Sequence, residues 1–241
     1  MTAERTYRFR DGKELRLGAR TLVMGILNVT PDSFSDGGRW NRRDDALRHM
    51  EEMVHDGADI IDIGAESSRP GFVPMSAAEE IERLLPFLEA VLPECPVPVS
   101  VDTFKAETAR AALAAGAHLL NDIWGLQYAE EPGAMAQAAA EADAPVVVMH
   151  NQNGTAYDGD VIAAMRGFFL RSFEIADAAG LARENIILDP GIGFGKTAEQ
   201  NMHVMRRMDE LISYAGTDYP LLLGASRKSF IGAALDLPVE E

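Results

Sequence analysis

Residues 189–197 bring together, in one short stretch, the side chains best suited to chemistry. The stretch reads DPGIGFGKT and directly follows the apolar run 185–188. A carboxylate at the end of a strand, opening onto a flexible loop, is where α/β enzymes typically place their chemistry. The glycines allow the backbone to approach a ligand closely, and Phe194 offers a ring that can stack on a flat group. A glycine-rich turn in which Asp189 is a helix N-cap is an equally good interpretation of this stretch alone.

Two nucleotide-binding motifs can be excluded from the register of the glycines. A phosphate-binding loop requires glycine at the position that Pro190 occupies, counting back from Gly195 and Lys196. A dinucleotide fingerprint requires glycine or another small residue where Lys196 stands, counting forward from Gly193. The stretch therefore indicates a strand-end aspartate with an adaptable loop rather than a nucleotide-phosphate cradle.

Polar side chains follow almost every other apolar run as well. They are Asn28, Glu66 with Arg69, Asp102, Asn121 with Asp122, His150, Asp189, and residues 226–229. The carboxyl ends of parallel strands meet at one face, so we expect these groups to converge. Carboxylates, amides and a lysine suit a flat, nitrogen-rich heterocycle, because they match the donors and acceptors on its edge. Helix N-capping remains open for Asp102 and Ser229, and we interpret His150 as a hydrogen-bonded structural histidine rather than a base.

Short apolar runs alternate with helical patterns along the chain, which predicts parallel strands buried on both faces. The runs are residues 21–27, 58–63, 97–101, 119–120, 145–149, 186–188 and 221–223. The helical patterns lie near residues 43–55, 77–92, 105–115, 133–141, 160–179 and 199–211. Residues 7–9 and 14–17 could pair as a hairpin across Asp11 and Gly12. Seven such runs predict an α/β fold of the TIM-type (β/α)8 barrel class, in a single domain over residues 1–241.

The composition of the chain argues against several classes of partner. A formal net charge of −16 repels polyanions, and no basic run interrupts it, so nucleic acid and anionic membranes are poor candidates. The single cysteine, Cys95, excludes an intramolecular disulfide and suits a reducing compartment. The N-terminal segment is polar rather than signal-like, and no apolar run is long enough to span a bilayer. We therefore expect a cytoplasmic protein.

Two polar loops are long enough to suggest a functional role. Residues 30–38 carry one exposed phenylalanine, Phe34, and residues 66–71 carry hydroxyls and Arg69. In an acidic protein, Arg69 and Lys228 are the candidates for holding an anion. A surface salt bridge is the alternative interpretation for Arg69.

Taken together, these segments closely resemble the dihydropteroate synthase family. The segments that carry the resemblance are residues 28–38 (NVTPDSFSDGG), 62–71 (DIGAESSRPG), 101–103, 121–122, 149–150, 189–196 (DPGIGFGK) and 226–229 (SRKS). They follow the family's order and spacing from Leu22 to Gly232. The resemblance implies a (β/α)8 barrel. It also implies condensation of 7,8-dihydropterin-6-ylmethyl diphosphate with p-aminobenzoate, which gives 7,8-dihydropteroate and pyrophosphate.

The resemblance also implies roles for individual residues around the pterin. The pterin would be held by Asp102, Asn121, Asp189 and Lys228, with Met149 and Phe194 near its faces. Asp102, Asp189 and Lys228 would form the catalytic set. The two carboxylates would stabilise the pterin-methyl cation left behind as pyrophosphate departs.

The second group of implied roles concerns the diphosphate and the amine substrate. Asn28 would help to bind the Mg²⁺ that accompanies the diphosphate, and Arg69 would meet the phosphates. The p-aminobenzoate would be framed by Phe34, Ser68, Pro70, Lys228 and Ser229. A homodimer is a further family expectation.

Two departures from the family pattern leave rival interpretations open. Ser68 replaces the usual threonine, which keeps the hydroxyl. The residues after Leu223 suffice for one helix only. We therefore expect the last β/α unit, which supplies an arginine and a histidine for the diphosphate, to be missing. Turnover is then expected to be weak unless a partner supplies that unit. The rivals are a non-catalytic pterin-binding paralogue and a pterin-dependent methyltransferase, against which the 226–229 motif and the two loop motifs count.

Overall fold

The computed structural model describes residues 4–29, 39–66, 75–226 and 228, with the backbone alone for residues 39–42. An N-terminal hairpin pairs β1 (Arg5–Arg8) with β2 (Glu14–Leu17) in antiparallel register. The main sheet has six parallel strands in chain order: β3 (Met24–Asn28), β4 (Ile60–Gly64), β5 (Val99–Asp102), β6 (Leu119–Asp122), β7 (Val146–Met149) and β8 (Ile186–Asp189). Every neighbour in the sheet is also the next strand along the chain, as in a barrel of βα units.

The predicted seventh strand, residues 221–223, is reduced to a single parallel bridge. Leu221 pairs with Leu188, and the Leu188 N–H donates to the Pro220 carbonyl at 2.9 Å. The Leu222 N–H returns a bond of 2.8 Å to the Leu188 carbonyl. The α/β class and the strand order are as predicted, and the ring is not closed within the described residues.

Helices follow the strands and cover the outer face of the sheet. They are α1 (Arg39–His55), α2 (Ala77–Glu94), α3 (Ala106–Ala115), α4 (Ala134–Ala142), α5 (Val161–Ala179) and α6 (Ala198–Arg206). The predicted helix over residues 199–211 is wrong in its second half, because α6 ends at Arg206 and a 3-10 helix follows over Met208–Leu211. A short hairpin, β9 (Ser213–Tyr214) with β10 (Thr217–Asp218), was not predicted.

Two of the helix starts are fixed by reciprocal side-chain bonds. Ser76 accepts from the Glu79 N–H while the Glu79 carboxylate accepts from Ser76, which forms a capping box at α2. Thr197 and Gln200 form the same arrangement at α6. In the described residues, no helix combines the length and apolar character that crossing a membrane requires.

The inward face of the sheet is apolar at its amino end. There the hairpin residues Tyr7 and Leu15 pack in a cluster with Ile60, Leu119 and Val147 of the strands. The Tyr7 hydroxyl also donates to the Glu184 carbonyl at 2.7 Å. The hairpin therefore plugs this end of the sheet and leaves the carboxyl end for other side chains.

We expect the hairpin plug to contribute substantially to the free energy of unfolding of the protein. Replacing the buried Leu15 with alanine removes apolar contacts from a packed cluster, so we expect the free energy of unfolding to fall by about 2–5 kcal/mol. Urea unfolding followed by circular dichroism measures the change. The exposed neighbour Arg16→Ala serves as the control and should cost less than about 1 kcal/mol. Similar small effects for the two variants would show that the hairpin is dispensable.

Candidate functional site

The inward-facing side chains change from apolar to polar toward the carboxyl ends of the strands. Successive inward positions are two residues apart, so Leu119 lies in the plug and Asn121 lies nearer the mouth. Asp102 pairs in register with Gly64 on one side and with Asn121 on the other. The strand register therefore places functional groups of adjacent strands side by side.

Gly64 leaves an open space between two of these groups. A Cβ atom at this position would lie 3.5 Å from Asp102 Oδ2 and 3.8 Å from Asn28 Oδ1. Asn28 itself is exposed at the end of β3. Because residue 64 has no side chain, the side-chain oxygens of Asp102 and Asn28 border the same gap, and a ligand there can reach both.

Asp102 lies in an environment that disfavours its ionised form. Burial raises the pKa of this carboxyl well above its ordinary value. The nearby carboxylates of Asp62, Glu80, Asp122 and Glu66 raise it further by repulsion. A positive charge placed beside Asp102 would relieve this repulsion, so the site favours a cationic or developing cationic ligand.

The amide of Asn121 is held in place from below. Its Nδ2 donates to Asp62 Oδ2 at 3.0 Å. Asp62 is buried one layer deeper, and its Oδ1 and the Ser100 Oγ have no hydrogen-bond partner among the described residues. Asp62 therefore orients Asn121.

Asp189 is buried at 5% exposure and anchors the turn that follows it. Its Oδ1 accepts from the Gly191 N–H at 2.7 Å. Burial raises the pKa of Asp189 to about 6, although the Gly191 bond and the charges of Lys196 and Lys228 oppose the shift. The N-cap interpretation is wrong for Asp189, because Thr197 caps α6.

The same conclusion holds for Asp102. The N-cap position of α3 belongs to Lys105, which makes no side-chain capping bond. The Asp102 carboxylate therefore does not cap α3.

Lys228 and Phe194 form another wall of the site. The Lys228 Nζ lies 4.3 Å from the centre of the Phe194 ring. Burial lowers the pKa of Lys228, while Asp189 and Asp102 act in the opposite direction. Phe194 also packs on a small cluster that contains Met149. A flat ligand at the mouth would meet an apolar wall on this side and a carboxylate and ammonium nearby.

The close approach of Lys228 explains one glycine of the loop. Gly193 has a φ of +85°, and a Cβ there would lie 2.9 Å from Lys228 Cδ. The backbone conformation favours glycine at this position, and a larger side chain would displace the end of Lys228.

His150 is a buried histidine held in a network. Its Nδ1 lies 2.9 Å from Lys196 Nζ, and burial together with the Lys196 charge lowers its pKa to about 2. The ring is therefore neutral at physiological pH, which agrees with the structural interpretation of this residue.

A buried ion-pair network next to the site was missed from the sequence. Lys105 Nζ bonds to Glu66 Oε2 and, at 2.9 Å, to Glu80 Oε2. Glu66 Oε1 accepts from the Met75 N–H at 2.7 Å. The partners are far apart in the chain, and only Glu80, which shares a face of α2 with Leu84 and Leu88, could have hinted at the network.

The structure thus brings together the residues predicted for the pterin, with Asn28, the residue predicted for the metal, beside them. The pterin residues are Asp102, Asn121, Met149, Asp189, Phe194 and Lys228. The predicted residues Phe34, Ser68, Arg69, Pro70 and Ser229 lie outside the described residues.

Known proteins with similar sequences share one description. A family model described as pterin binding enzyme matches residues 24–241. The dihydropteroate synthase of Clostridium beijerinckii is 49% identical over 232 residues, which cover 95% of this chain and 82% of that protein. The dihydropteroate synthase of Bacillus subtilis is 51% identical over 222 residues, which cover 92% of this chain and 75% of that protein.

Solved structures give the same result for the fold. A dihydropteroate synthase from Clostridium difficile, crystallised in the presence of pteroic acid, has a TM-score of 0.86 and 48% identity. The match covers 92% of this chain and 82% of that one. The Xanthomonas albilineans enzyme with 4-aminobenzoic acid has a TM-score of 0.86 and 38% identity, over 98% of this chain and 84% of that one.

The raised pKa of Asp189 makes stability depend on pH in a defined direction. Its folded-state pKa of about 6 exceeds the ordinary value of 3.8, so the folded protein holds this proton more tightly than the unfolded chain. The resulting stabilisation is complete at low pH and is lost as the pH rises through 6. We expect the free energy of unfolding of the wild type, relative to Asp189→Asn, to fall by at most about 3 kcal/mol between pH 4 and pH 7.

Urea unfolding at a series of pH values measures this difference. The exposed Asp209→Asn provides the control, and its profile should run parallel to that of the wild type. A difference between wild type and Asp189→Asn that stays flat or grows with pH would contradict the assignment.

Proposed function

The chain belongs to the dihydropteroate synthase family of pterin-binding enzymes, and from this premise we propose that it joins 7,8-dihydropterin-6-ylmethyl diphosphate to p-aminobenzoate. Members of the family are transferases of folate biosynthesis. The observation that carries the proposal is the convergence of Asp102, Asn121 and Asp189 with Lys228 at one mouth of the sheet. Relatives crystallised with pteroic acid and with 4-aminobenzoic acid support the two halves of the product.

The described residues suit a pterin ring in both shape and polarity. Carboxylates and an amide can pair with the amino and ring N–H groups along the edge of the heterocycle. Met149 and Phe194 supply an apolar surface for its faces. Because Asp62 fixes the Asn121 amide, the polar groups are oriented before the ligand arrives.

The reaction is a substitution at the methylene carbon attached to the pterin. The carbon–oxygen bond breaks, and its electron pair leaves with pyrophosphate, which places positive charge on the pterin-methyl group. Burial raises the pKa of both Asp102 and Asp189, so a positive charge that develops beside them favours their ionised forms and is stabilised in return. They therefore stabilise the transition state more than the neutral ground state.

The arylamine nitrogen then forms the new bond to the methylene carbon and loses one proton. An aromatic amine is a weak nucleophile, so placing it next to the carbon matters more than deprotonating it beforehand. The ammonium of Lys228 lies beside Phe194 and can attract the carboxylate end of this substrate. The products are 7,8-dihydropteroate and pyrophosphate.

A magnesium ion is part of the proposal, and the oxygen donors of the site fit it. Mg²⁺ prefers carboxylate and carbonyl oxygens and commonly shares its coordination with substrate phosphates. The exposed Asn28 amide borders the gap above Gly64, and it would hold the ion together with the diphosphate. Bound there, the ion would neutralise charge on the leaving pyrophosphate. Among the described residues, no group of three or more His, Cys, Asp or Glu side chains is arranged to hold a metal by itself.

Pyrophosphate release separates this function from its rivals. The enzyme should release pyrophosphate from the dihydropterin diphosphate only when p-aminobenzoate and Mg²⁺ are present. A methyltransferase would show no release, and a non-catalytic pterin-binding protein would bind the pterin without p-aminobenzoate-dependent release. Either result would overturn the proposal.

The role of Asp189 gives a quantitative test. Asp189→Asn keeps the shape but removes the charge that faces the developing cation, so kcat should fall by about 100-fold or more. Asp209→Asn changes an exposed carboxylate elsewhere and should stay within about twofold of the wild type. Steady-state pyrophosphate release measures both variants. Equal rates would refute the electrostatic role.

The role of Asn28 is tested by metal titration. Asn28→Ala removes one oxygen donor, and we expect the Mg²⁺ concentration for half-maximal activity to rise by about tenfold or more. The matched control is Asn185→Ala, because Asn185 is buried at the opposite end of β8, where it donates to Asp143 at 2.8 Å. A shift of equal size in both variants, or in neither, would contradict a metal role for Asn28.

A further inference from the structure

Lys196 is a buried lysine whose ammonium meets three acceptors. At 7% exposure, its Nζ lies 2.9 Å from His150 Nδ1, 2.9 Å from the Gly191 carbonyl and 3.0 Å from the Phe194 carbonyl. An ammonium group has three N–H donors, so each is matched by one acceptor. Two of these acceptors belong to the backbone of the glycine loop, which makes Lys196 the internal brace of that loop.

We propose that Lys196 is a positioning residue that fixes the glycine loop, residues 191–195, so that Phe194 stands against Lys228 and completes the p-aminobenzoate site. The inference rests on the proposed function, since it names what the loop positions for that reaction. Lys196 itself acts through Phe194 and Gly191 and does not need to touch either substrate.

Other hydrogen bonds also hold the loop, but none of those described joins the same two carbonyls. Asn201 Oδ1 accepts from the Gly193 N–H at 2.9 Å, and the Tyr157 hydroxyl donates to the Gly195 carbonyl at 2.8 Å. The Phe194 N–H donates to the Gly191 carbonyl at 3.0 Å, which closes a tight turn. Lys196 is the side chain that bonds to the carbonyls at both ends of that turn.

The glycines leave the loop few steric constraints of its own. Gly191 and Gly195 both have positive φ angles, of +61° and +56°. A segment in which every second residue is glycine has many accessible backbone states, so the observed conformation must be selected by hydrogen bonds and packing. Loss of the brace should therefore release the loop without disturbing β8.

The brace is insensitive to the charge state of Lys196. Burial and the like charge of Lys228 lower its pKa to about 7, while Asp189 opposes the shift. A neutral amine retains two N–H donors for the two loop carbonyls, and its lone pair can accept from the Nδ1–H of neutral His150. The pair can thus exchange donor and acceptor roles while every contact is kept.

The ring of Phe194 is the part of the loop that reaches the site. It lies against Lys228 on one side and packs on the Met149 cluster on the other. The pterin contacts of Asp102 and Asn121 come from strands that Lys196 does not touch. Phe194 also borders a face of the pterin, but the pterin keeps these polar contacts when the loop is released, so p-aminobenzoate binding should weaken more than pterin binding.

Hydrogen exchange and kinetics on the full chain test the inference with Lys196→Met, which keeps the length of the side chain and removes its donors. The amides of Gly193 and Phe194 should exchange about tenfold faster or more, while those of β8 remain protected. The KM for p-aminobenzoate should rise about tenfold or more, with kcat and the pterin KM within about threefold of the wild type.

Two further variants separate positioning from general damage. Tyr7→Phe removes one buried hydrogen bond at the opposite end of the sheet, and it should change neither loop exchange nor the p-aminobenzoate KM. Because Lys196 acts through Phe194, adding Lys196→Met to Phe194→Ala should raise that KM no further. Should Lys196→Met fail to fold, Lys196→Gln weakens the same brace, because its shorter side chain lacks the charge and one of the three N–H donors.

The outcomes distinguish this inference from the proposed function. Unchanged exchange of the loop amides in the variant overturns the brace, whatever the activity of the wild type. Faster exchange with an unchanged p-aminobenzoate KM, or additive effects in the double variant, overturns the positioning role. Absence of p-aminobenzoate-dependent pyrophosphate release by the wild type refutes the proposed function, and the exchange measurement still decides whether Lys196 holds the loop.

Discussion

The proposed site depends on repulsion between carboxylates that are crowded at the carboxyl end of the sheet. Asp102 is surrounded by Asp62, Asp122, Glu66 and Glu80, each of which raises its pKa. Such crowding costs stability in the free protein, and natural folds keep it only where the surroundings hold it in place. In the proposed reaction, the ligand beside these carboxylates becomes cationic. Its positive charge relieves their mutual repulsion, so the site binds the transition state more tightly than the ground state.

The lysines of the chain are placed to limit this repulsion without cancelling it. Lys105 lies between Glu66 and Glu80, behind the site, and so neutralises part of the outer charge. Lys196 and Lys228 lie near Asp189 and keep its pKa lower than burial alone would allow. The two carboxylates at the mouth therefore differ in their surroundings. Asp102 is surrounded by other carboxylates, whereas Asp189 has two lysines nearby.

Strand order, helix order and the ends of the strands could be predicted because each depends on local pattern. Buried parallel strands appear as short apolar runs, and Asp102, Asn121 and Asp189 follow such runs directly. The roles of Lys105 and Lys196 could not be predicted, since they depend on partners that register and loop conformation bring close. Lys196 is part of a recognisable motif, yet two of its three acceptors are backbone carbonyls, which cannot be identified from residue types.

The N-terminal hairpin has a consequence for how the chain assembles. The guanidinium of Arg5 donates to the carbonyls of Glu184 and Asp218, which lie 179 and 213 positions further along the chain. The hairpin can therefore reach these partners only when nearly the whole described chain is present. Contacts of such long sequence separation form late and slow the overall rate of folding. We therefore expect the plug to form after the sheet has assembled, so that contacts of the hairpin report on completion of the fold.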